Sequence, residues 1–460
     1  MVAEALELRA GAGRTRRQHL ALFAPAAAGA ALSAACGGAA PAAGQPPKPL
    51  DKTQKDELTW VVWSSDGGTR KEAHDAMVKR FAEQFPNVTV TRIAGGADTL
   101  PKLITMLASD TRVDVVGTRP DYMAAYMEGP KPLQSLSAFT KRDSSVIKEK
   151  DHVEGVVDGL SWKGTLYALP VGVYTNNVAL NLDLFQQKAI PLPKESWTVE
   201  EMIDAATRLT ERKEAEADSV WGFYQMYHAV THFAYSWIRG NGGEPMTPND
   251  EIQQSRWASD PETLNTVQWL ADLSGKLRLM SVGTAPGGVW GTFREGKVAI
   301  AVMETNNLYQ VVQAQAEGGA RFKWDVHPLP RMKKGTYQPI GAFAYGISRN
   351  TRNPDVTWEL LKEVVGPAGQ TDWFRLAKFA PSLKPLLNGA YLQDREPPDN
   401  KKAIVAAIQA AKPMPRATQW VEMDKVCVEN LGAIREGKVG VREALQDIDR
   451  RVASLVVKSA

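Results

Sequence analysis

Two stretches of the chain repeat the glycine and lysine spacing of a phosphate-binding loop. They are residues 291–297 and 432–438. In a nucleotide-binding loop the next residue is Ser or Thr, which holds Mg²⁺, but here it is Val298 or Val439. A β-strand is predicted directly after the first stretch, so a phosphate there would face no helix N-terminus. The spacing therefore argues against nucleotide binding, and any ATPase that works with this protein is expected on a separate chain.

Two histidines lie one helical turn apart, which is the spacing of a zinc-binding helix. They are His228 and His232, and Ala229 stands where a zinc protease has its catalytic glutamate. We therefore expect no metalloprotease and no metal or other cofactor. A structural or transported metal completed by His152 or His327 stays open as an alternative.

Nucleophilic catalysis has little support in the sequence. There is no Gly-x-Ser-x-Gly motif, and Cys427 lies in a predicted helix, where a small buried residue is the simpler interpretation. A glycosidase needs two positioned carboxylates, which sequence alone does not exclude. We expect a protein that is not an enzyme, with a secreted hydrolase as the alternative.

The charge balance limits the kind of partner. The chain has 55 Lys and Arg residues against 52 Asp and Glu, so no strong positive field favours nucleic acid. The two cysteines, Cys36 and Cys427, lie in different contexts and predict no disulfide framework.

Strands and helices alternate in the first part of the folded chain. Strands are predicted at 58–63, 88–93 and 113–116, with helices at 71–85 and 100–107 between them. This alternation predicts a mostly parallel sheet covered by helices on both faces. Ligands of such sheets bind at the carboxyl ends of the strands, so the loops after the first and third strands are the first candidates for a site.

The middle of the chain predicts a second α/β unit. Residues 167–181 form an extended stretch that is too long for one ordinary strand and is expected to cross between two lobes. Thr198 is a predicted N-cap for a helix that runs to about Leu209. A strand at 298–303 and a helix at 354–365 follow.

The N-terminus has the pattern of an export signal. Arg14, Arg16 and Arg17 precede an uncharged run from Leu20 to Ala35, which is too short to span a bilayer. Residues 1–35 are therefore predicted to be a signal peptide. The paired arginines leave the twin-arginine and the general secretory route open.

A cysteine follows this signal at the position of a lipidation site. Leu32-Ser-Ala-Ala-Cys36 is similar to the lipobox of bacterial lipoproteins, although the leucine is one residue too far from the cysteine. Residues 36–56 are rich in Gly, Ala and Pro, which predicts a flexible tether behind a lipidated Cys36. A plain secretory signal with an incidental cysteine is the alternative.

The order of these segments resembles the family 1 extracellular solute-binding proteins, whose best-known relatives bind maltose and other sugars. The resemblance covers residues 57–460 and rests on LTWVVWSSDGG, WKGTLYALPVGVYTNNVALNLDLF, FREGKVAIAVMETNN and the C-terminal IREGKVGVREALQDIDRRVASL. It implies a two-lobed α/β periplasmic-binding-protein-like fold, with a mostly parallel sheet in each lobe and a hinge of about three crossings. The lobes would be residues 57–171 with 329–366, and 172–328 with 367–460.

The resemblance also implies which residues contact the ligand. In the first lobe these are Trp63, Ser64, Asp66, Arg119, Asp121, Tyr122 and Tyr174. In the second lobe they are Tyr224, Tyr227, Trp237, Glu304, Asn306 and Trp420. Weaker candidates are Phe343 in the first lobe and Trp373 in the second. The alternatives are a helix cap for Asp66, a surface ion pair for Arg119, hinge packing for Tyr174 and core packing for Trp237.

The implied function is the capture of a carbohydrate for an ABC importer. A sugar presents apolar C–H faces and a ring of hydroxyls, which suit aromatic platforms and polar side chains, and the chain has 13 tryptophans. The implied partners are the membrane permease subunits and, through the lipid anchor, the cell membrane, with the protein itself a monomer. A phosphorylated polyol bound by Arg119 is the alternative ligand.

Overall fold

The computed structural model describes residues 50–63, 66–95, 99–109, 111–225, 230–246, 254–280 and 292–459. Within these ranges the strands are β1 (Asp56–Val62), β2 (Val88–Ala94), β3 (Val115–Thr118), β4 (Ser161–Trp162), β5 (Thr165–Leu166), β6 (Leu169–Tyr174), β7 (Asn176–Asn181), β8 (Trp221–Gln225), β9 (Val298–Glu304), β10 (Trp324–His327), β11 (Pro339–Ile347) and β12 (Lys412–Pro413).

The α-helices within the same ranges are α1 (Gly68–Gln84), α2 (Thr99–Ala108), α3 (Met123–Glu128), α4 (Ser137–Arg142), α5 (Val156–Gly159), α6 (Leu182–Gln187), α7 (Val199–Leu209), α8 (Val230–Asn241), α9 (Pro261–Gly275), α10 (Tyr309–Ala316), α11 (Pro354–Val365), α12 (Pro367–Arg375), α13 (Lys384–Leu386), α14 (Lys401–Ala410), α15 (Trp420–Arg435) and α16 (Val441–Ser459). In the described part of the chain, no helix is both long and apolar enough to cross a membrane.

The first sheet has the order β12-β11-β3-β1-β2, and β6 also pairs with β11. β1 runs parallel to β2 and β3, as the alternation of strands and helices predicts. β11 returns from a distant part of the chain and lies antiparallel to β3 and β6. Helices α1, α11 and α12 pack against one another and cover this sheet. Since helices cover the sheet, β1 and β3 can consist largely of buried apolar residues.

The second sheet has the order β10-β7-β9-β8. Here the prediction of a mostly parallel sheet is wrong, because β7 is antiparallel to both of its neighbours and only β8 and β9 run parallel. A strand that is buried on both faces has the same apolar pattern whether it runs parallel or antiparallel to its neighbours. The hydrophobic pattern therefore does not reveal the direction of the strand. The direction of β7 is set by the chain as it enters from the first sheet.

Helix α7 shows how local sequence defines an element. Thr198 accepts a hydrogen bond from the backbone of Glu201 at 3.3 Å, and the Glu201 carboxylate accepts one from the backbone of Thr198 at 2.7 Å. This reciprocal capping box satisfies two amide groups that a helix start otherwise leaves without a partner. The predicted N-cap is therefore confirmed.

The two stretches with phosphate-loop spacing end in ordinary turns. Gly296 has a φ of 73° and leads into β9, while Gly437 has a φ of 67° and follows the C-terminus of α15. Both positions need the left-handed backbone that glycine adopts most readily. Neither stretch joins a strand to a following helix in the order that a phosphate loop requires.

The chain passes from the first sheet to the second at Thr175, between β6 and β7. The Thr175 hydroxyl donates to the carbonyl of Pro339 at 2.9 Å, at the start of β11, where the chain returns to the first sheet. Its backbone carbonyl accepts from the amide of Thr305, just after β9, at 2.9 Å. Thr175, between β6 and β7, is therefore joined both to the start of β11 and to the residue after β9.

A third connection is organised by Gln370, which lies in α12 and is fully buried. Its side-chain oxygen accepts from the amides of Ser382 and Leu383 at 2.8 and 3.0 Å. Its side-chain nitrogen donates to the carbonyls of Pro170 and Val365 at 3.2 and 2.8 Å. One amide side chain thus ties the segment after α12 to β6.

We expect Gln370→Leu to lower the free energy of unfolding by about 2–4 kcal/mol, because it leaves two amides and two carbonyls at this connection without these partners. Urea denaturation measures the change. Gln268→Ala is the control, because the Gln268 side chain bonds to Asp272 in an exposed pair, and its effect should stay within about 0.5 kcal/mol. Equal effects of the two substitutions would show that Gln370 does not organise this connection.

Candidate functional site

The first strands of the first sheet end side by side and present polar and aromatic residues at one edge. Trp63 follows β1, and Arg119 follows β3. Because the two strands are parallel, both residues lie beyond the same edge of the sheet. Gly117 allows the strands to approach, since a Cβ atom there would lie 2.6 Å from the Trp63 backbone nitrogen.

Arg119 is the centre of this edge. Its guanidinium lies 5.7 Å from the ring centroid of Trp63 and 5.2 Å from that of Tyr122. Its Nε donates to Asp121 Oδ1 at 3.0 Å. Burial alone lowers the pKa of Arg119, but Asp121 outweighs it and holds that pKa well above its usual value. The result is a permanent cation held between aromatic rings and neutralised by a buried carboxylate.

Asp121 also reaches a helix from the far end of the chain. Trp420 Nε1 donates to Asp121 Oδ2 at 3.1 Å, and both residues are almost completely buried. Trp420 is the first residue of α15, which packs against α8, α9 and α16. This hydrogen bond therefore joins the edge of the first sheet to a helical layer that lies outside that sheet.

Tyr174 completes the group at the end of β6. Its ring packs against Phe343 at 5.3 Å and against Gly341, where a Cβ atom would lie only 2.2 Å from the ring. Burial, with a smaller contribution from Glu304, raises the pKa of Tyr174, so the phenol stays protonated and can donate a hydrogen bond. Burial likewise raises the pKa of Tyr122 to about 12. We call Trp63, Arg119, Asp121, Tyr122, Tyr174 and Trp420 the Arg119 cluster.

Glu304 is the last residue of β9, Asn306 lies two residues further on, and both are buried. Glu304 interacts electrostatically with Tyr174 and accepts from Asn307 Nδ2 at 3.4 Å. Asn306 Oδ1 is buried and has no hydrogen-bond partner within the described residues. A buried acceptor in this state costs free energy that a ligand hydroxyl would recover.

Asp66 lies in a separate network. Its two oxygens accept from His74 Nδ1 and from Arg92 Nε, each at 2.8 Å. Burial lowers the pKa of His74 despite Asp66, so the imidazole is neutral and carries its proton on Nδ1. Its Nε2 then accepts from the hydroxyl of Tyr345 at 3.3 Å. Asp66 is therefore engaged with other side chains of the first sheet and does not cap α1.

Phe343 and Trp373 belong to an aromatic group that the sequence analysis did not connect. They pack with Phe379, and the Arg70 guanidinium lies between 5.2 and 5.7 Å from the rings of Phe379, Phe343 and Tyr309. Arg70, Tyr309 and Phe379 were not among the predicted site residues. Arg70 lies in the first turn of α1, just after the loop that follows β1, and this position in the sequence could have identified it as a candidate site residue.

Two predicted site residues near β8, Tyr224 and Trp237, are buried within the second sheet and the helices that pack on it. Tyr224 lies in β8, and Trp237 Nε1 donates to Gln225 Oε1 at 2.7 Å. The ring of Trp237 contacts Trp269 at 5.1 Å. Among the described residues, neither Tyr224 nor Trp237 is hydrogen-bonded to the Arg119 cluster.

Several predictions concern residues outside the described ranges. These residues are Cys36, Ser64, Tyr227 and His228, together with the side chain of His232. Among the described residues, no group of three His, Cys, Asp or Glu side chains is arranged to hold a metal ion. Cys427 is buried in α15, and burial raises the pKa of its thiol well above the usual value.

Two α/β layers with separate sheets, joined by chain crossings and by polar contacts at a strand-end edge, define the class of two-lobed α/β binding proteins.

Within that class, residues 76–403 match the family of bacterial extracellular solute-binding proteins, so the chain belongs to this family. Among curated proteins, an uncharacterised ABC transporter extracellular-binding protein of Pyrococcus horikoshii is 24% identical over 169 residues. That match covers 35% of this chain and 37% of the relative's length.

Solved structures show the same fold. The ABC substrate-binding protein Lmo0181 of Listeria monocytogenes, in complex with cycloalternan, has a TM-score of 0.76 at 20% identity and covers 87% of this chain and 99% of its own. Maltose-bound MalE3 of T. maritima has a TM-score of 0.73 at 17% identity and covers 87% and 100%. The predicted family resemblance and the two-lobed α/β fold are confirmed.

The Asp66 network predicts a pH dependence of stability. Burial alone raises the pKa of Asp66, but His74 and Arg92 lower it from 3.8 to about 2. The unfolded chain then binds more protons between these values, so the stabilisation is complete above about pH 4 and is lost as the pH falls toward 2.

The difference in unfolding free energy between the parent and Asp66→Asn should therefore shrink as the pH falls from about 4 to 2. Urea denaturation at several pH values measures this difference. Asp204→Asn, which replaces an exposed carboxylate, is the control and should show no such trend. A difference that is constant with pH would contradict the assignment.

Proposed function

We propose that this protein is the exported, lipid-anchored receptor of an ABC importer and that it binds a carbohydrate between its two lobes at the Arg119 cluster. The observation that carries the proposal is the hydrogen bond from Trp420 to Asp121, which joins the edge of the first sheet to a helix packed outside it. A ligand that contacts both sides of such a junction stabilises the closed arrangement.

The chemistry of the cluster supports a sugar. Trp63, Tyr122 and Trp420 supply aromatic rings for the apolar faces of a pyranose. Asp121 supplies acceptors, and the protonated phenol of Tyr174 supplies a donor. These are the groups that alternating C–H faces and hydroxyls require.

The charge of the cluster argues against the alternative of a phosphorylated polyol. The cation of Arg119 is already paired with Asp121, at 3.0 Å from Nε to Oδ1. A phosphate would have to displace a buried carboxylate from this pair, which leaves that carboxylate uncompensated. A neutral ligand avoids this cost.

The proposed lobes follow the packing of the helices. The first lobe takes β1 to β6, β11 and the helices α11 and α12, since α12 packs against α1 and α11. This division differs from the bounds that the family resemblance implies, because it moves residues 367–375 from the second lobe to the first and moves the first boundary from residue 171 to the end of β6 at Tyr174. The second lobe takes β7 to β10 with α14, α15 and α16. Closure would then occur about the crossings at Thr175 and near Gln338, which are hydrogen-bonded to each other at 3.0 Å.

The relatives suggest suitable probes. The similar solved structures include complexes with cycloalternan, maltose, maltotetraose and mannobiose. We expect the full-length protein to bind at least one sugar of this kind in isothermal titration calorimetry, without turnover. Binding of a polyol phosphate in preference to all of these sugars would overturn the carbohydrate assignment, and steady hydrolysis would establish an enzyme instead.

Trp420→Phe should weaken binding of that sugar by about tenfold, because it removes the indole N–H and part of the stacking surface. The matched control is Trp358→Phe, since Trp358 is also fully buried and donates from Nε1 to an aspartate, Asp143, at 2.5 Å. Both variants lose a tryptophan–aspartate hydrogen bond, but only the first should lose sugar affinity. Equal affinities in the two variants would place the ligand elsewhere.

The lipid anchor has its own test. Cys36→Ser should move the protein from the membrane fraction to the soluble extracytoplasmic fraction of a bacterial host and abolish incorporation of labelled fatty acid. Cys427→Ser is the control, because Cys427 is buried within the folded chain. Unchanged membrane association of Cys36→Ser would reject lipidation at this residue.

A further inference from the structure

A second pocket lies away from the Arg119 cluster. Its volume is about 430 Å³, within the usual range for sites that hold small molecules. It is formed by the N-terminus of α7, the C-terminal end of α8, one face of α9 and residues 331–333. No residue of the Arg119 cluster lines it.

The walls of this pocket are held by backbone contacts. The Arg331 amide donates to the carbonyl of Trp197 at 2.9 Å, and its carbonyl accepts from the amide of Val199 at 3.3 Å. Met332 packs so closely on Gly240 that a Cβ atom there would lie 2.3 Å from its sulfur. With the capping box of α7, these contacts fix the pocket in the folded chain before any ligand arrives.

Several polar side chains in the pocket take no part in holding the fold. Those of Glu200, Asn265 and Arg331 make no hydrogen bond or ion pair with the described residues, and neither does the indole nitrogen of Trp269. Trp269 is half-buried, and its ring packs on Trp237 at 5.1 Å, which fixes its position. The pocket therefore offers one indole, a carboxylate, an amide and a guanidinium to a bound molecule.

The charges of the pocket select a neutral ligand. The positive charges of Arg331 and Lys333 are balanced by the negative charges of Glu200 and Glu262. Lys333 and Glu262 already form an ion pair, with 2.9 Å between Lys333 Nζ and Glu262 Oε2. Neighbouring hydroxyls on a sugar ring donate to a carboxylate and accept from a guanidinium or an amide. The C–H face of the same ring packs on an indole.

We propose that this pocket is a second saccharide-binding site, which holds one or two neutral sugar residues between the ends of α7 and α8, one face of α9 and residues 331–333. Neither Thr175 nor Gln338, at the crossings, lines the pocket, so its occupation does not require the lobes to close. The site is independent of the carbohydrate assignment at the Arg119 cluster, because none of its residues is shared.

The experiment uses the full-length protein labelled with 5-fluorotryptophan and titrated with maltotetraose and mannobiose. Trp269→Phe assigns the Trp269 fluorine resonance. We expect this resonance to shift at millimolar sugar with a simple saturation curve, and the same curve should appear in Trp420→Phe. If the Arg119 cluster binds no sugar, the Trp269 shift still appears, so failure of one proposal is separate from failure of the other.

The combined variant Glu200→Gln, Asn265→Ala should weaken this second binding by about tenfold, because it removes two of the groups that meet the hydroxyls. Gln268→Ala is the control on the same helix, because its side chain bonds to Asp272 outside the pocket. Both changed residues of the combined variant are exposed, so folding is preserved. A Trp269 resonance that does not move with either sugar, or moves equally in the combined variant, would overturn the proposal.

Discussion

The crossing at Thr175 is the constraint on which the rest of the molecule depends. β6 ends in the first sheet and β7 begins in the second with a single residue between them, so the two sheets must meet at this point. The hydroxyl of Thr175 donates to Pro339, where the chain returns to the first sheet, and the Thr175 carbonyl accepts from Thr305. This junction sets the direction of β7 and therefore the antiparallel pairs of the second sheet.

The Arg119 cluster follows from the same constraint. Arg119 and Trp63 lie at one edge because β1 and β3 are parallel neighbours, and Tyr174 lies beside them because β6 ends at the crossing. Trp420 then reaches Asp121 from a helix of the last part of the chain. Asp121 compensates the burial of Arg119 and accepts the indole hydrogen bond of Trp420, so the charges of the cluster are neutralised.

Sequence reasoning recovered the local elements because their signals are local. The strand at β1, the helix at α1 and the capping box of α7 depend on residues within a few positions of one another. The contacts of Asp66 and Arg70 cannot be predicted from such local patterns. Asp66 is engaged by His74 and Arg92, and Arg70 is surrounded by rings from α10, β11 and the segment after α12, which are far away in sequence.

The sequence by itself therefore determined the order of strands and helices, the two-lobed α/β class and the polar residues that follow β1 and β3. Hydrophobic period, turn residues and caps report the conformation of a segment, and the ordered segments report the family. Only the tertiary structure decided which of these side chains meet. Whether Asp121 faces Trp420, and whether Asp66 is engaged with other side chains, depends on long-range pairing that no local pattern encodes.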